Sequence, residues 1–359
     1  MRRRSERTRC ASAGARALRR IGLCTALLGT LAASQPAQPA PNRVISASAR
    51  LPLVLIQDVE LPGRATRFDY QDIDPKLGQL VLSHMNDGEV LFLRLSDGSV
   101  LARLTGIPVA RGVAVASEIG RVFVTSSPHS LVMIDSRTMK ETSRVATGNG
   151  PDGVAWDASD QVVGVSDQSD GALSLLSAAG SGARRALKLG NETGNVVFDR
   201  GRGWFWISVV GGATVDQLVG VQARLARVEK TLALPGCKGA HGVRLHPNGQ
   251  SAFIACETNH RLLQVDLETS QVLALLPTGE DPDVLAIDPG LGWLYVAAES
   301  GDLSVFDLQR PVATLLGHDH SGAHSHSVAA DAASHRVFFP LKSGSNGKPV
   351  LRIMRPTGT

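Results

Sequence analysis

The 359-residue sequence lacks the short signatures of several enzyme classes. It contains no Gly-x-Ser-x-Gly, no His-Glu-x-x-His, no phosphate-binding loop and no Cys-x-x-Cys pair. A nucleophile elbow, a helical zinc site, a P-loop and a dithiol centre therefore have no support in the chain. Long apolar runs are missing too. The stretch Ile21–Ala33 is about 13 residues, against the roughly 20 that a bilayer-spanning helix needs. No long segment has helical periodicity.

Cysteine is scarce, with four in the chain. Cys10 and Cys24 fall in an N-terminal region with eight arginines and one glutamate, followed by the apolar run and a proline-rich "SQPAQPAPNR". A basic region, a short apolar region and small residues describe a secretory signal peptide. We read 1–33 as that leader, 34–49 as a disordered linker, and the mature protein as periplasmic or secreted, with no stable membrane insertion. Arg19-Arg20 stands without the rest of a twin-arginine motif, and Cys24 lacks a lipoprotein cleavage pattern. Removing the leader takes the formal charge from +4 to about −3. The high pI belongs to the leader, and a nucleic-acid partner is not expected. Cys237 and Cys256 remain, free to pair in an oxidising compartment.

What the sequence does have is a repeat. "DGVAWDASD", "HGVRLHPNG", "DVLAIDPGL" and "HSVAADAAS" each give a polar residue, a short apolar strand, and Asp or His opening a turn. "RGVAVASEI" and "GNVVFDRGR" fit, and "DYQDIDPKL" fits loosely. The repeats start at Asp69, Arg111, Asp152, Gly194, His241, Asp283 and His326, spaced by 41 to 47 residues. Further short strands follow, with turns that often contain Gly, and the fourth repeat, the longest, departs most from the pattern. Four strands roughly every 42 residues predict a β-propeller. Seven first strands predict seven blades. The last repeat has only three strands, and Leu51–Gly63 reads as the missing fourth. The expected fold is an all-β, seven-bladed propeller over 50–359, closed by its N-terminal strand, and a monomer.

"WLYVAAESGDLSVFDL", "GEDPDVLAIDP", "RFDYQDIDPKLGQLVLSHMNDGEVLFL" and "HSHSVAADAASHRVFFPL" resemble the YVTN-repeat propellers of secreted bacterial proteins. The resemblance covers roughly 50–355. It implies the fold, but its relatives range from lactonase-like hydrolases to redox enzymes and binding proteins, so it does not choose a function.

"GNGPDG" (Gly148–Gly153) matches a dinucleotide fingerprint in letters, but strand rather than helix follows it, so it reads as a turn. The aspartates after the first strand (Asp74, Asp157, Asp199, Asp288, Asp331), and His246 in the same place, read as turn openers.

The position that starts each first strand differs. It reads Asp69, Arg111, Asp152, Gly194, His241, Asp283, His326, nearly all ionisable, and a propeller brings these to one opening. That is the raw material of a small-molecule or metal site. The second strands, aligned on the turn that follows, end at His84, Thr125, Asp167, Ser208, Cys256, Ala297 and Pro340 on the same face. We expect His84, His241 and His326 as candidate metal ligands, for a divalent or transition ion. Asp69, Arg67, Arg111, Asp152, Asp283 and His324 are candidate ligand-binding residues. A Cys237–Cys256 disulfide would brace the loop that presents His241. His318 and His320 are expected in a solvated loop. Three functions remain open: binding a small polar or anionic ligand, lactonase-type hydrolysis with or without a metal, and a protein-interaction scaffold.

Overall fold

The computed structural model describes residues 50–211 and 214–358. The leader, and the linker up to residue 49, lie outside the described residues. Among the described residues the strands form seven antiparallel sheets of four. No helix among them is long and apolar enough to cross a membrane. The molecule is a seven-bladed β-propeller.

Six blades are consecutive meanders. Blade one runs Gln71–Asp74, Gln79–His84, Glu89–Arg94, Val100–Thr105, inner to outer. Blade four, the least regular in sequence, has its four strands as well, from Glu192–Asp199 to Arg227–Ala233. Blade seven is composite. Leu53–Glu60 pairs antiparallel with Val350–Pro356 as the outer strand, so the first strand of the chain closes the ring.

The core is divided rather than central. Seven apolar clusters each join two neighbouring blades, as where Leu80, Leu82 and Leu91 of blade one meet Phe338, Leu351 and Ile353 of blade seven. Middle strands such as Gln79–His84 are therefore buried on both faces, and a run like "LVLS" can be apolar without alternation.

The turn openers behave as expected. Asp74 accepts backbone N–H bonds from Lys76 and Leu77, and Asp157 from Ser159 and Asp160. His246 does the same with Nδ1, accepting from Asn248. One expectation needs correcting. His318 and His320 are not in a loop but in the outer strand Thr314–His320, where His318 bonds Ser304 and His320 pairs with Asp302. The polar letters hide a strand whose edge faces solvent.

Candidate functional site

The start of the inner strand is shaped by a recurring irregularity. In blades two to six the ladder slips there, between Ala110 and Val113, Pro151 and Val154, Thr193 and Val196, Ala240 and Val243, and Pro282 and Leu285. Arg111, Asp152, Gly194, His241 and Asp283 sit inside these slips. A bulge re-aims the side chain it carries, which turns these residues toward the axis.

The next residue is often glycine, for a steric reason. A Cβ on Gly112 would lie 2.2 Å from the Asp152 carbonyl oxygen, and one on Gly242 1.9 Å from that of Asp283. The backbones of Asp152 and Asp283 thus each rest on the glycine of the blade before. Hydroxyls fourteen residues after the ring position fasten the same contact. Ser83 donates to the Arg111 carbonyl at 2.6 Å, Thr125 to that of Asp152 at 2.6 Å, and Ser208 to that of His241.

The result is a cavity of about 220 Å³ at the mouth, lined by Arg67, Asp69, Tyr70, Met85, Arg111, Asp152, Gln168, His241, Glu257, Asp283 and Glu299. His326 lies beside Asp69, Nε2 to Oδ1 3.5 Å, and beside Asp283, Nε2 to Oδ2 4.0 Å. Its Nδ1 is 3.5 Å from Glu299. His241 Nε2 faces Asp152 at 3.3 Å and Asp283 Oδ1 at 3.5 Å, and its Nδ1 faces Glu257 at 3.6 Å. The Tyr70 hydroxyl reaches across from blade one and donates to Asp283 Oδ1 at 3.1 Å, 3.3 Å from His241 Nε2.

Arg67 and Arg111 stand at the rim. Arg67 binds Glu299 at 2.5 Å and lies 3.9 Å from Asp283. Arg111 donates to Gln168 at 2.8 Å and lies 3.7 Å from Asp152. Two guanidiniums face five carboxylates, so the mouth has a cation's complement.

The buried charges perturb one another. Burial pushes Asp69 up, against the pull of His326. Burial pushes Glu257 up to about 7, helped by Asp283 and Asp152 and opposed by His241. Burial alone would lower His241, but Asp152, Asp283 and Glu257 prevail and hold it well above the ordinary histidine value. His326 is raised in the same way, with Asp69 and Asp283 outweighing burial and Arg67. Burial would raise Asp152, but His241, Arg111 and Arg67 outweigh it and hold the carboxyl below the usual range.

Five polar atoms here are buried without a hydrogen-bond partner: both ring nitrogens of His326, Asp152 Oδ2, Arg67 Nε and Arg111 Nε. Asp69, Asp283 and His326 together could hold a metal ion, as could His241, Glu257 and Asp283. The spacing fits. Tetrahedral donors at bonds of ~2.1 Å lie about 3.4 Å apart, and the imidazole-to-carboxylate distances within these two groups are 3.5 to 4.0 Å.

Seven of the expected residues therefore converge: Asp69, Arg67, Arg111, Asp152, His241, Asp283 and His326. Two do not. His84 is fully buried beside the mouth's floor, stacked on Phe68 with centroids 4.1 Å apart. Its nitrogens bond Thr66 at 3.0 Å and Glu89 at 3.1 Å. His84, Asp87 and Glu89 form a third group that could hold a metal ion, outside the lining of the mouth. Asp87 and Glu89 are held by Arg64, Thr66 and Arg103, so this knot also pins the loop entering blade one. His324 is exposed in a left-handed turn at φ 58° and does not line the cavity.

The reason for His84 is strand alternation. The strand-end residue points between blades, and its successor points to the axis. That successor lies sixteen residues past the ring position, and in four of the seven blades it lines the cavity, as Met85, Gln168, Glu257 and Glu299. A second ring at this fixed offset is the signal that would have found these residues in the sequence. Tyr70 carries no such signal. Cys237 and Cys256 are joined in a disulfide, which ties the approach to His241 to the strand that ends beside Glu257.

Fold and mouth define a seven-bladed propeller with an acidic, histidine-bearing axial pocket. No protein-family model and no curated protein matches the chain. Solved structures do. A chain of Kuenenia stuttgartiensis hydrazine synthase superposes with a TM-score of 0.70 at 13% identity, covering 81% of this chain and 96% of that one. A chain from a crystal structure of the mitotic checkpoint complex also gives 0.70 at 13% identity, covering 92% and 98%. At such identity the likeness shows the fold alone.

Proposed function

We propose that the mouth binds a divalent first-row metal ion and, through it, a small polar ligand. The carrying observation is His326. It is 2% exposed, has no hydrogen bond at either ring nitrogen, and faces two carboxylates at 3.5 and 4.0 Å. A buried polar group without a hydrogen bond costs about 1–3 kcal/mol. With Glu299 included, three carboxylates stand 3.5 to 4.0 Å from this ring, beyond good hydrogen-bond distance and at the separation of ligands around a shared ion. Imidazole with carboxylates suits zinc, manganese or iron. Glu299 at Nδ1 would orient the ring, as carboxylates behind metal-bound histidines do.

An ion also reconciles the pocket with an anionic ligand. Five carboxylates repel an anion, and both arginines are engaged by acids. A bound cation offsets the acids and gives the ligand's oxygens a partner. The resemblance to YVTN-repeat propellers agrees with a small-molecule site, and it brings lactone hydrolysis as the reaction to assay. Export to an oxidising compartment is supported by the leader-like N-terminus and the disulfide.

The test uses protein purified without a polyhistidine tag, incubated with Zn²⁺ and dialysed. We expect retained zinc at micromolar affinity, and a loss of at least tenfold in His326→Ala, as metal ligands and their partners show. Zinc retained equally by both proteins, or by neither, would overturn the assignment and leave an interaction scaffold as the reading. Lactone hydrolysis assayed on the same samples decides whether the ion is catalytic.

A further inference from the structure

Around Asp283 the mouth repeats itself. One carboxylate oxygen faces His326 and the other faces His241, each at Nε2. Each Nε2 also faces a second aspartate from another blade, Asp69 at 3.5 Å and Asp152 at 3.3 Å. Each Nδ1 faces a glutamate, Glu299 at 3.5 Å and Glu257 at 3.6 Å. The same four-group layout is thus present twice, with one carboxylate in common.

One ion does not answer both halves. Placed between His326, Asp69 and Asp283, it leaves unfilled a second group, His241, Glu257 and Asp283, whose donor atoms also lie within 4.8 Å of one another. A carboxylate offering one oxygen to each ion is the usual bridge of two-metal sites, whose ions stand about 3.5–4 Å apart.

We propose that the mouth is a two-ion centre bridged by Asp283, with His326 and Asp69 completing one site and His241 and Glu257 the other. This rests on the metal-binding reading above and extends it from one ion to two. The Tyr70 hydroxyl, donating to Asp283 Oδ1, fixes the plane of the bridge. The ligand class follows: a small molecule presenting two anionic oxygens, a carboxylate or a phosphate, one to each ion.

The probe is Mn²⁺ on the untagged full chain, read by metal content and electron paramagnetic resonance. The expected result is two ions per chain with an exchange-coupled spectrum. His241→Ala should retain one ion, with an uncoupled spectrum. Glu257→Gln, which preserves shape, should do the same and guards against a misfolded alanine variant. Saturation at one ion, unchanged in His241→Ala and Glu257→Gln, overturns the bridge but leaves the single-ion site standing. Absence of binding in the wild type overturns both. Two ions with no coupling, both surviving Asp283→Asn, place the second ion elsewhere and overturn the bridging role.

Discussion

At the scale of single residues, Asp167 shows how the propeller tolerates a strained charge near its working face. It accepts bonds from the Gly148 N–H and the Ser174 hydroxyl, and Arg184 lies 3.6 Å away. Burial still wins and pushes it up to about 6, from an ordinary 3.8. Below pH 3.8 the carboxyl is protonated in both folded and unfolded chains and costs nothing. As pH rises toward 6 the unfolded chain ionises first, so stability falls across that window and is flat above it. The gap is worth on the order of 2–3 kcal/mol. Asp167→Asn keeps an oxygen for Gly148 and removes the titration. Urea unfolding from pH 4 to 7 should show the variant gaining about that much relative to the wild type. Parallel profiles would mean that the charge is better solvated than its burial implies. Gly242 makes a steric case on the same scale. An alanine Cβ there would sit 1.9 Å from the Asp283 oxygen. Gly242→Ala should cost about 1–3 kcal/mol, as overpacking does, and should also weaken metal retention, because Asp283 is the residue displaced.

At the scale of strands, sequence and structure part company over direction. The repeat showed the blades because its spacing survives any small misalignment. The ring residues were legible because six of the seven stand a fixed five positions before a turn opener, as Asp69 before Asp74 and His241 before His246. The second strands were not. Aligning them on the following turn set Thr125, Ser208, Ala297 and Pro340 one residue short of the position held by His84, Asp167 and Cys256. In a strand one residue is half a period, so it reverses the face. The bulges that aim Arg111, Asp152, His241 and Asp283 leave no mark beyond an occasional glycine. The contact from Tyr70 to Asp283 spans 213 residues of sequence, which no local pattern encodes. The disulfide acts at this scale as well. It closes a loop of 19 residues between Cys237 and Cys256, for which chain entropy suggests about 3 kcal/mol. Cys237→Ser with Cys256→Ser should lose roughly that stability in urea. If the brace serves the mouth, metal affinity falls as well. A stability loss with unchanged affinity would confine the disulfide to the fold.

At the scale of the whole molecule, stability depends on closure. Each cluster of the core belongs to two blades, so a ring with a gap loses an interface and not merely a strand. The closing strand Leu53–Glu60 pairs with Val350–Pro356 from Leu53 against Pro356 to Glu60 against Val350, with one register shift between Leu55 and Gln57. Arg352 with Asp58 and Lys348 with Glu60 add ion pairs at 2.7 and 2.6 Å, on exposed or partly exposed surface, where such pairs contribute little. Most of the stabilisation comes from the ladder and from the apolar contacts of Leu53 and Leu61, 7% and 2% exposed. Burying one such leucine is worth about 1.5–3 kcal/mol. A chain beginning at residue 62 should therefore lose about 5 kcal/mol or more and melt on the order of 10–20 °C lower, with weakened metal retention, since His326 and Asp69 face each other across the seam between blades seven and one. Adding the peptide 50–61 in trans should restore part of both. A truncated chain that melts like the whole one would show that three strands complete blade seven, and that the N-terminal strand is decoration on a ring already closed.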